Sequence, residues 1–407
     1  MINYTDTAWM LIATAMVMIM TPTLAFFYGG LVRKKNVLSV LMQTFVILSV
    51  VSLQWILFGY SIAFGPDIGR VIGGIDFAGL AGVGMDPLEG QTIPHLVFML
   101  FQMMFAIITP ALIIGAFVER IKFSGFLVFI LLWTTLIYDP MAHWVWSPDG
   151  WLAKLGALDF AGGTVIHILA GISALVMAIM LGKRDGLPNG HAPHNLPLAV
   201  LGAGFLWFGW FGFNAGSALA VGPVTVSAFL NTNTAAAAAG VTWMIMDWIE
   251  NKVPTMLGLI TGIVAGLVAI TPAAGYVKPL PAIFIGASGS IVGFVFVTKV
   301  KSRLKYDDSL DVFGVHGMAG ITGAIMTGIF ATKAINPAGA DGLLYGNPSQ
   351  LLVQSLAVLV AVVFAAVGTV ILFKIVDVTV GLRVARKDEH IGLDLTQHHE
   401  AGYTVME

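Results

Sequence analysis

Residues 159–182 read DFAGGTVIHILAGISALVMAIMLG. Past Asp159 the stretch holds no acidic residue, no Lys or Arg, and a single histidine, His167. A bilayer core of roughly 30 Å is crossed by about 20 helical residues, so this segment is long and apolar enough to be a membrane span. Working outward, comparable stretches run near 7–31, 37–63, 93–117, 123–145, 195–217, 225–249, 255–274, 279–298, 310–332 and 350–380. Polar breaks separate them, such as 33–36, 182–186 and 301–305, and the tightest is Gly222-Pro223. The expectation is an all-α polytopic membrane protein with eleven transmembrane helices.

Composition agrees. Of 407 residues, 57% are hydrophobic and only 10% charged, and the mean hydropathy is +0.89. A soluble globule carries about 25% charged residues to wet its surface. A net charge of −2 offers no basic field for nucleic acid. The absence of cysteine excludes disulfides, thiolate metal sites and cysteine nucleophiles, and no cofactor is expected. Residues 1–6 lack the basic start of a signal peptide, so the first apolar stretch is read as a retained span. With the amino terminus outside, only Arg70, Lys154, Lys278 and Lys333 of the 20 Lys and Arg fall outside. That asymmetry puts the carboxyl terminus inside.

An internal repeat locates a site. Residues 167–172 read HILAGI and residues 316–321 read HGMAGI. Each follows an aspartate, Asp159 and Asp311, and each lies on the fifth span of its half. Phe26–Gly30 on the first span is echoed by Phe213–Gly216 on the sixth. Five spans per half is an odd number, so the two five-helix repeats must be inverted, with the eleventh helix strapping them together. Inverted repeats place a substrate path near the bilayer midplane.

An ionisable side chain inside a span is expensive and so is a functional suspect. By helix rise, His167 lies about 12 Å below the outer end of its span and His316 about 9 Å above the inner end of its own. A lone intramembrane histidine ordinarily bonds a neighbouring helix. Two at repeat-equivalent positions point instead to a shared site. If each ring spends one nitrogen on the other, the tautomers are locked and the remaining nitrogens face the lumen. Such a pair can relay a proton or bond a small amine. Asp159 reads first as a helix cap, with a direct cation site as the sharper alternative. Phe101, Phe105, Trp144, Trp146, Trp151, Trp207, Phe208, Trp210, Phe211 and Phe213 form aromatic clusters. Most suit membrane interfaces, and a few can cage a small cation. Composition does not choose among them.

Five motifs carry a resemblance: residues 142–146 (AHWVW), 156–167 (GALDFAGGTVIH), 209–217 (GWFGFNAGS), 271–275 (TPAAG) and 311–317 (DVFGVHG). They resemble the Amt/Mep ammonium transporters, and the likeness runs from Phe26 to about Tyr403. It implies a homotrimer in the cell (inner, plasma) membrane with one pore per subunit, not an enzyme, taking ammonium or ammonia as substrate. Trp146, Phe105 and Ser217 match that family's outer ammonium site, and Phe105 and Phe213 its two stacked gate rings. His167 and His316 match its twin histidines, and Asp159 its structurally essential aspartate. Leu169 departs from the Asn or Ser common there, about 200° around the helix from the histidine. Residues 1–380 would form the transmembrane domain and 381–407 a cytoplasmic regulatory tail. The tail's Gly381–Val384, Gly392–Asp394 and His398–Tyr403 resemble the segment through which nitrogen-regulatory PII proteins close the inner mouth; taken alone it reads as a disordered end. Three other readings remain: a neutral-gas channel of the related Rh type, an ammonium sensor, and an intramembrane hydrolase using Ser173 or Thr164.

Overall fold

A computed structural model describes residues 1–185 and 192–403. The break expected at 182–186 runs into residues 186–191, and the end of the expected tail into 404–407; both lie outside the described residues. Helices dominate: α1 (Tyr4–Leu31), α2 (Lys34–Phe64), α3 (His95–Phe117), α4 (Phe123–Leu155), α5 (Gly163–Leu181), α6 (Leu196–Gly216), α7 (Pro223–Asn251) and α8 (Met256–Ile270). They continue with α9 (Pro279–Leu304), α10 (Phe313–Phe330), α11 (Pro348–Thr379) and the short α12 (Arg386–Ile391) and α13 (Leu393–His398). Among the described residues, nine helices are long and apolar enough to cross a membrane; α8 is shorter, and α7 is not one of the nine. The chain is a multi-pass membrane protein.

Local chemistry sets the helix starts. Asn3 Oδ1 accepts from Thr5 N and Asp6 N to cap α1, Asn195 caps α6 through Leu198 N, and Thr255 caps α8 through Gly258 N. Pro223, Pro279 and Pro348 open α7, α9 and α11, where a missing N–H costs nothing. On the amino-terminal face, Asp6 joins Thr92 and the backbone of Val221, closing three loops together.

Small residues let the helices touch. A side chain at Gly202, Gly209 or Gly212 of α6 would collide with α1. One at Gly171 of α5 would strike the backbone of Gly317 at the start of α10. That last crossing is the one that matters for the site. Both helices also open on a π-helical turn, Gly163–Ile168 and Phe313–Met318, and each turn carries one of the two histidines. Such turns widen a helix by one residue and recur at functional sites.

Candidate functional site

The π-turns of α5 and α10 bring His167 and His316 together. Their Nδ1 atoms lie 3.3 Å apart, and the ring centroids are 5.4 Å apart with planes 21° from parallel. One Nδ1 must donate and the other accept, so the two rings hold opposite tautomers. One Nε2 is then a donor and the other an acceptor. His167 Nε2 is buried and has no partner among the described residues. Trp210, whose place the sequence did not single out within its cluster, stacks on the His167 ring at 5.4 Å and 19°. Its indole N–H is pinned to Thr271 Oγ1 at 2.9 Å.

The pair sits in a neck of about 10 Å³ of free volume, lined also by Phe213, Ile108, Leu206 and Trp210; that is barely the room one water needs. On the amino-terminal face the neck is preceded by a chamber of about 730 Å³, lined by Trp146, Phe105 and Ser217. On the tail face a chamber of about 320 Å³ reaches His316. Leu169 is fully buried and lines none of these spaces. Phe105 and Phe213 meet at 4.6 Å between the wide chamber and the neck, edge to face at 75° rather than face to face. That geometry suits the ring quadrupoles better than a parallel stack. Phe105 also lies 5.8 Å from Trp146. The remaining aromatic residues divide as their surroundings dictate: Phe101 packs edge-on against Phe105, while Phe208 is exposed on the outer surface of the bundle.

Asp159 is a helix cap. Its Oδ1 accepts from Gly162 N and Gly163 N at 3.0 and 2.6 Å, and its Oδ2 from Thr164 N and Val165 N at 2.9 and 3.0 Å. Gly162 turns the chain there with φ of 116°, a conformation glycine adopts at little cost. The Asp159 carbonyl accepts the Trp146 indole N–H at 3.0 Å, so the cap also orients a wall of the wide chamber.

The repeat partner of Asp159 is Asp308, not Asp311. Asp308 Oδ2 accepts from Phe313 N at 2.7 Å, and it precedes His316 by eight residues, as Asp159 precedes His167. Burial pushes the Asp308 carboxyl up to about 6, against the pull of Lys301. Asp311 instead pairs with Lys301 at 2.5 Å, outside the cap. The equal spacing was visible in the sequence; the nearer aspartate masked it. Ser173 shows no nucleophile's setting, since its hydroxyl accepts from Trp133 Nε1 and Thr369 Oγ1 at 3.0 and 2.9 Å.

On the opposite face the tail is docked rather than loose. Asp394 Oδ1 accepts from Ser39 N at 2.8 Å, and Leu393 N donates to Asn36 Oδ1 at 2.8 Å. Arg383 donates to Leu181 O and pairs with Glu389 at 3.0 Å. Beneath it, Glu119 bridges Arg33 and Arg184 at 2.9 and 2.8 Å. Burial alone would raise the Glu119 carboxyl, but the two guanidinium groups hold it below its ordinary value.

An apolar neck between two open chambers, set in a multi-pass bundle with a histidine pair at its waist, defines a membrane protein built around a transmembrane path. The profile of the Ammonium Transporter Family matches residues 8–403. An ammonium transporter of Bacillus subtilis is 52% identical over 98% of this chain and 98% of its own length. Ammonium transporter Amt1 of Archaeoglobus fulgidus is 47% identical over 98% and 99%. The crystal structure of Saccharomyces cerevisiae Mep2 superposes with a TM-score of 0.90 at 36% identity, covering 95% of this chain and 89% of that one. A structure titled Sensor Amt Protein gives 0.88 at 34%, covering 97% and 98%. The chain belongs to the Ammonium Transporter Family.

Proposed function

We propose that each subunit takes up ammonium, strips one proton at the wide chamber and passes ammonia through the neck. The observation that carries this reading is the histidine pair, joined at 3.3 Å in an apolar neck between two open chambers. Ammonium is held by the ring faces of Trp146 and Phe105 and by the hydroxyl of Ser217. Ser217 Oγ donates to Phe213 O at 2.9 Å, which leaves its lone pairs free to accept from the cation. A hydrated cation enters a dry neck only at great cost, so the site favours separating ammonium into ammonia and a proton. Ammonia crosses past Phe213, His167 and His316. The proton follows along the pair and rejoins ammonia in the far chamber. Potassium has no proton to give up and donates no hydrogen bond, so it is excluded without a size filter.

Trp146→Leu is the test of the wide-chamber site. Loss of one desolvated cation–ring contact, worth about 2 kcal/mol, should raise the half-saturating ammonium concentration by about tenfold or more and weaken discrimination against potassium. An unchanged concentration dependence of uptake into vesicles would count against the assignment.

The topology that goes with this reading is eleven spans in two inverted five-helix repeats plus a strap, amino terminus out and carboxyl terminus in. The matching π-turns and caps of α5 and α10 support the repeat. The chain works as a homotrimer in the cell membrane, residues 1–380 forming the transmembrane domain. Residues 381–407 form a cytoplasmic tail on which a PII protein docks to close the far chamber. Deleting 392–407 should leave transport intact and abolish PII retention by the membranes; equally strong retention would refute the docking role. A neutral-gas path of the Rh type is disfavoured by the Trp146–Ser217 chamber. The kinship with a sensor-titled structure favours a signalling role, against which the described residues of the docked tail carry only two short helices.

A further inference from the structure

The corner at 271–275 (TPAAG), which follows α8, lines none of the neck, yet it grips the His167 turn from two sides. Directly, Pro272 O accepts from Phe160 N at 3.2 Å. A side chain at Gly163, the first residue of the π-turn, would collide with the Pro272 ring. The second grip runs through Trp210. Among the described residues the His167 ring makes one hydrogen bond, to His316, and its Nε2 has no partner. A single bond leaves the ring free to swing about it, so its plane is set by what it stacks on. Trp210 supplies that face, 19° from parallel, and is itself part of the neck wall.

The indole is held in turn by one atom. Thr271 Oγ1 spends its only hydrogen on Leu267 O at 2.7 Å. Toward Trp210 Nε1 it can therefore only accept, and the indole N–H can only donate. Thr271 is 0% and Trp210 2% exposed, so no bulk water stands by to replace the bond. An indole N–H buried without an acceptor is costly. It relieves that cost by turning off His167 or by drawing water into the neck.

We infer that Thr271 is a positioning residue: by holding the Trp210 indole flat on His167, it keeps the histidine rings in register and the neck dry. The inference rests on His167 and His316 lying on the ammonia path.

The test measures ammonium uptake and potassium-driven current in vesicles for the wild type, Thr271→Val, Thr271→Ser, Trp210→Phe, the Thr271→Val/Trp210→Phe double variant and His167→Asp. Thr271→Val keeps the shape without the acceptor and should lower the maximal rate about tenfold. The half-saturating concentration, set in the wide chamber, should stay where it is. Thr271→Ser restores the acceptor and most of the rate. Trp210→Phe has no N–H to satisfy, so adding Thr271→Val to it should cost nothing further, because residues acting through one contact are not additive. With both partners gone no buried group is left unmatched, so this comparison stands even if Thr271→Val alone does not reach the membrane. A wild-type rate in Thr271→Val, a Ser variant as slow as Val, or a full further loss in the double variant would overturn the inference. If His167→Asp also keeps wild-type rate and selectivity, the fault lies with the histidine pair and not with Thr271.

Discussion

Asp159→Ala is expected to remove the folded protein from the membrane, not merely to slow transport. Four backbone N–H groups converge on the Asp159 carboxylate at 2.6–3.0 Å, and the residue is 7% exposed. A hydrogen bond to a charged acceptor is worth about 1.5–3 kcal/mol, and all four bonds are buried, so their donors would be left without partners. Losing four removes several kcal/mol from a fold stabilised in total by about 5–15 kcal/mol. The π-turn carrying His167 starts within the same four residues, so its geometry goes with the cap. Asp159→Asn keeps one oxygen acceptor and should fall between the two. The amount of detergent-extracted, size-homogeneous protein and its thermal midpoint report the effect. An Ala variant that accumulates at the wild-type level yet fails to transport would mean that Asp159 acts on the cation instead of on the fold.

His167→Asp, with His316 kept, should convert the path from ammonia to ions. The substitution destroys the Nδ1–Nδ1 pair and puts a carboxylate into a neck of about 10 Å³ walled by Phe213, Trp210 and Leu206. A charge there costs at least about 2.5–3.5 kcal/mol unless a counter-ion meets it. A cation thereby becomes a favoured occupant of a neck that formerly repelled cations. Potassium conduction should appear, from a level indistinguishable from background. Replacing both histidines by Ala instead widens the neck and removes the proton relay, so proton-linked movement should stop while helix packing survives. Neither change adds bulk at the Gly171–Gly317 crossing.

Much of this was legible in the residues. Each of the eleven apolar stretches falls on one of α1 through α11, although α4 runs on to Leu155 and α9 to Leu304, beyond the ends read at 145 and 298; nine of these helices are long and apolar enough to cross a membrane. α7 is not among the nine helices apolar enough to be recognised as spans. It carries Asn231 and Thr232 on a buried face: Asn231 Nδ2 donates to Ala274 O and Val277 O, and Thr232 Oγ1 accepts from Asn214 Nδ2. Polar groups that pair inside the bundle lower a helix's apolarity without barring it from the membrane.

The histidine pair was legible because the HILAGI and HGMAGI segments share a register. What placed the rings 5.4 Å apart was not legible. Two π-turns and a glycine-to-glycine contact set that distance, and one-residue bulges leave no mark in apolar periodicity. Asp311 was paired with Asp159 because proximity to the motif outweighed spacing, whereas the cap geometry selects Asp308. The docking of the tail was invisible for another reason. Its partners, Asn36 and Ser39 at the start of α2 and Arg120 between α3 and α4, are far away in the chain, and a polar segment shows no apolar face to announce a contact.

The most direct test of the path is the current carried by wild-type protein and by His167→Asp in one bilayer preparation, under matched ammonium and potassium gradients. Wild-type protein should pass an ammonium-dependent current and none driven by potassium, while His167→Asp should carry potassium. A wild type that passes potassium as readily as ammonium, or a His167→Asp variant with wild-type selectivity and current, would contradict the assignment of His167 and His316 as the proton-handling waist of the pore.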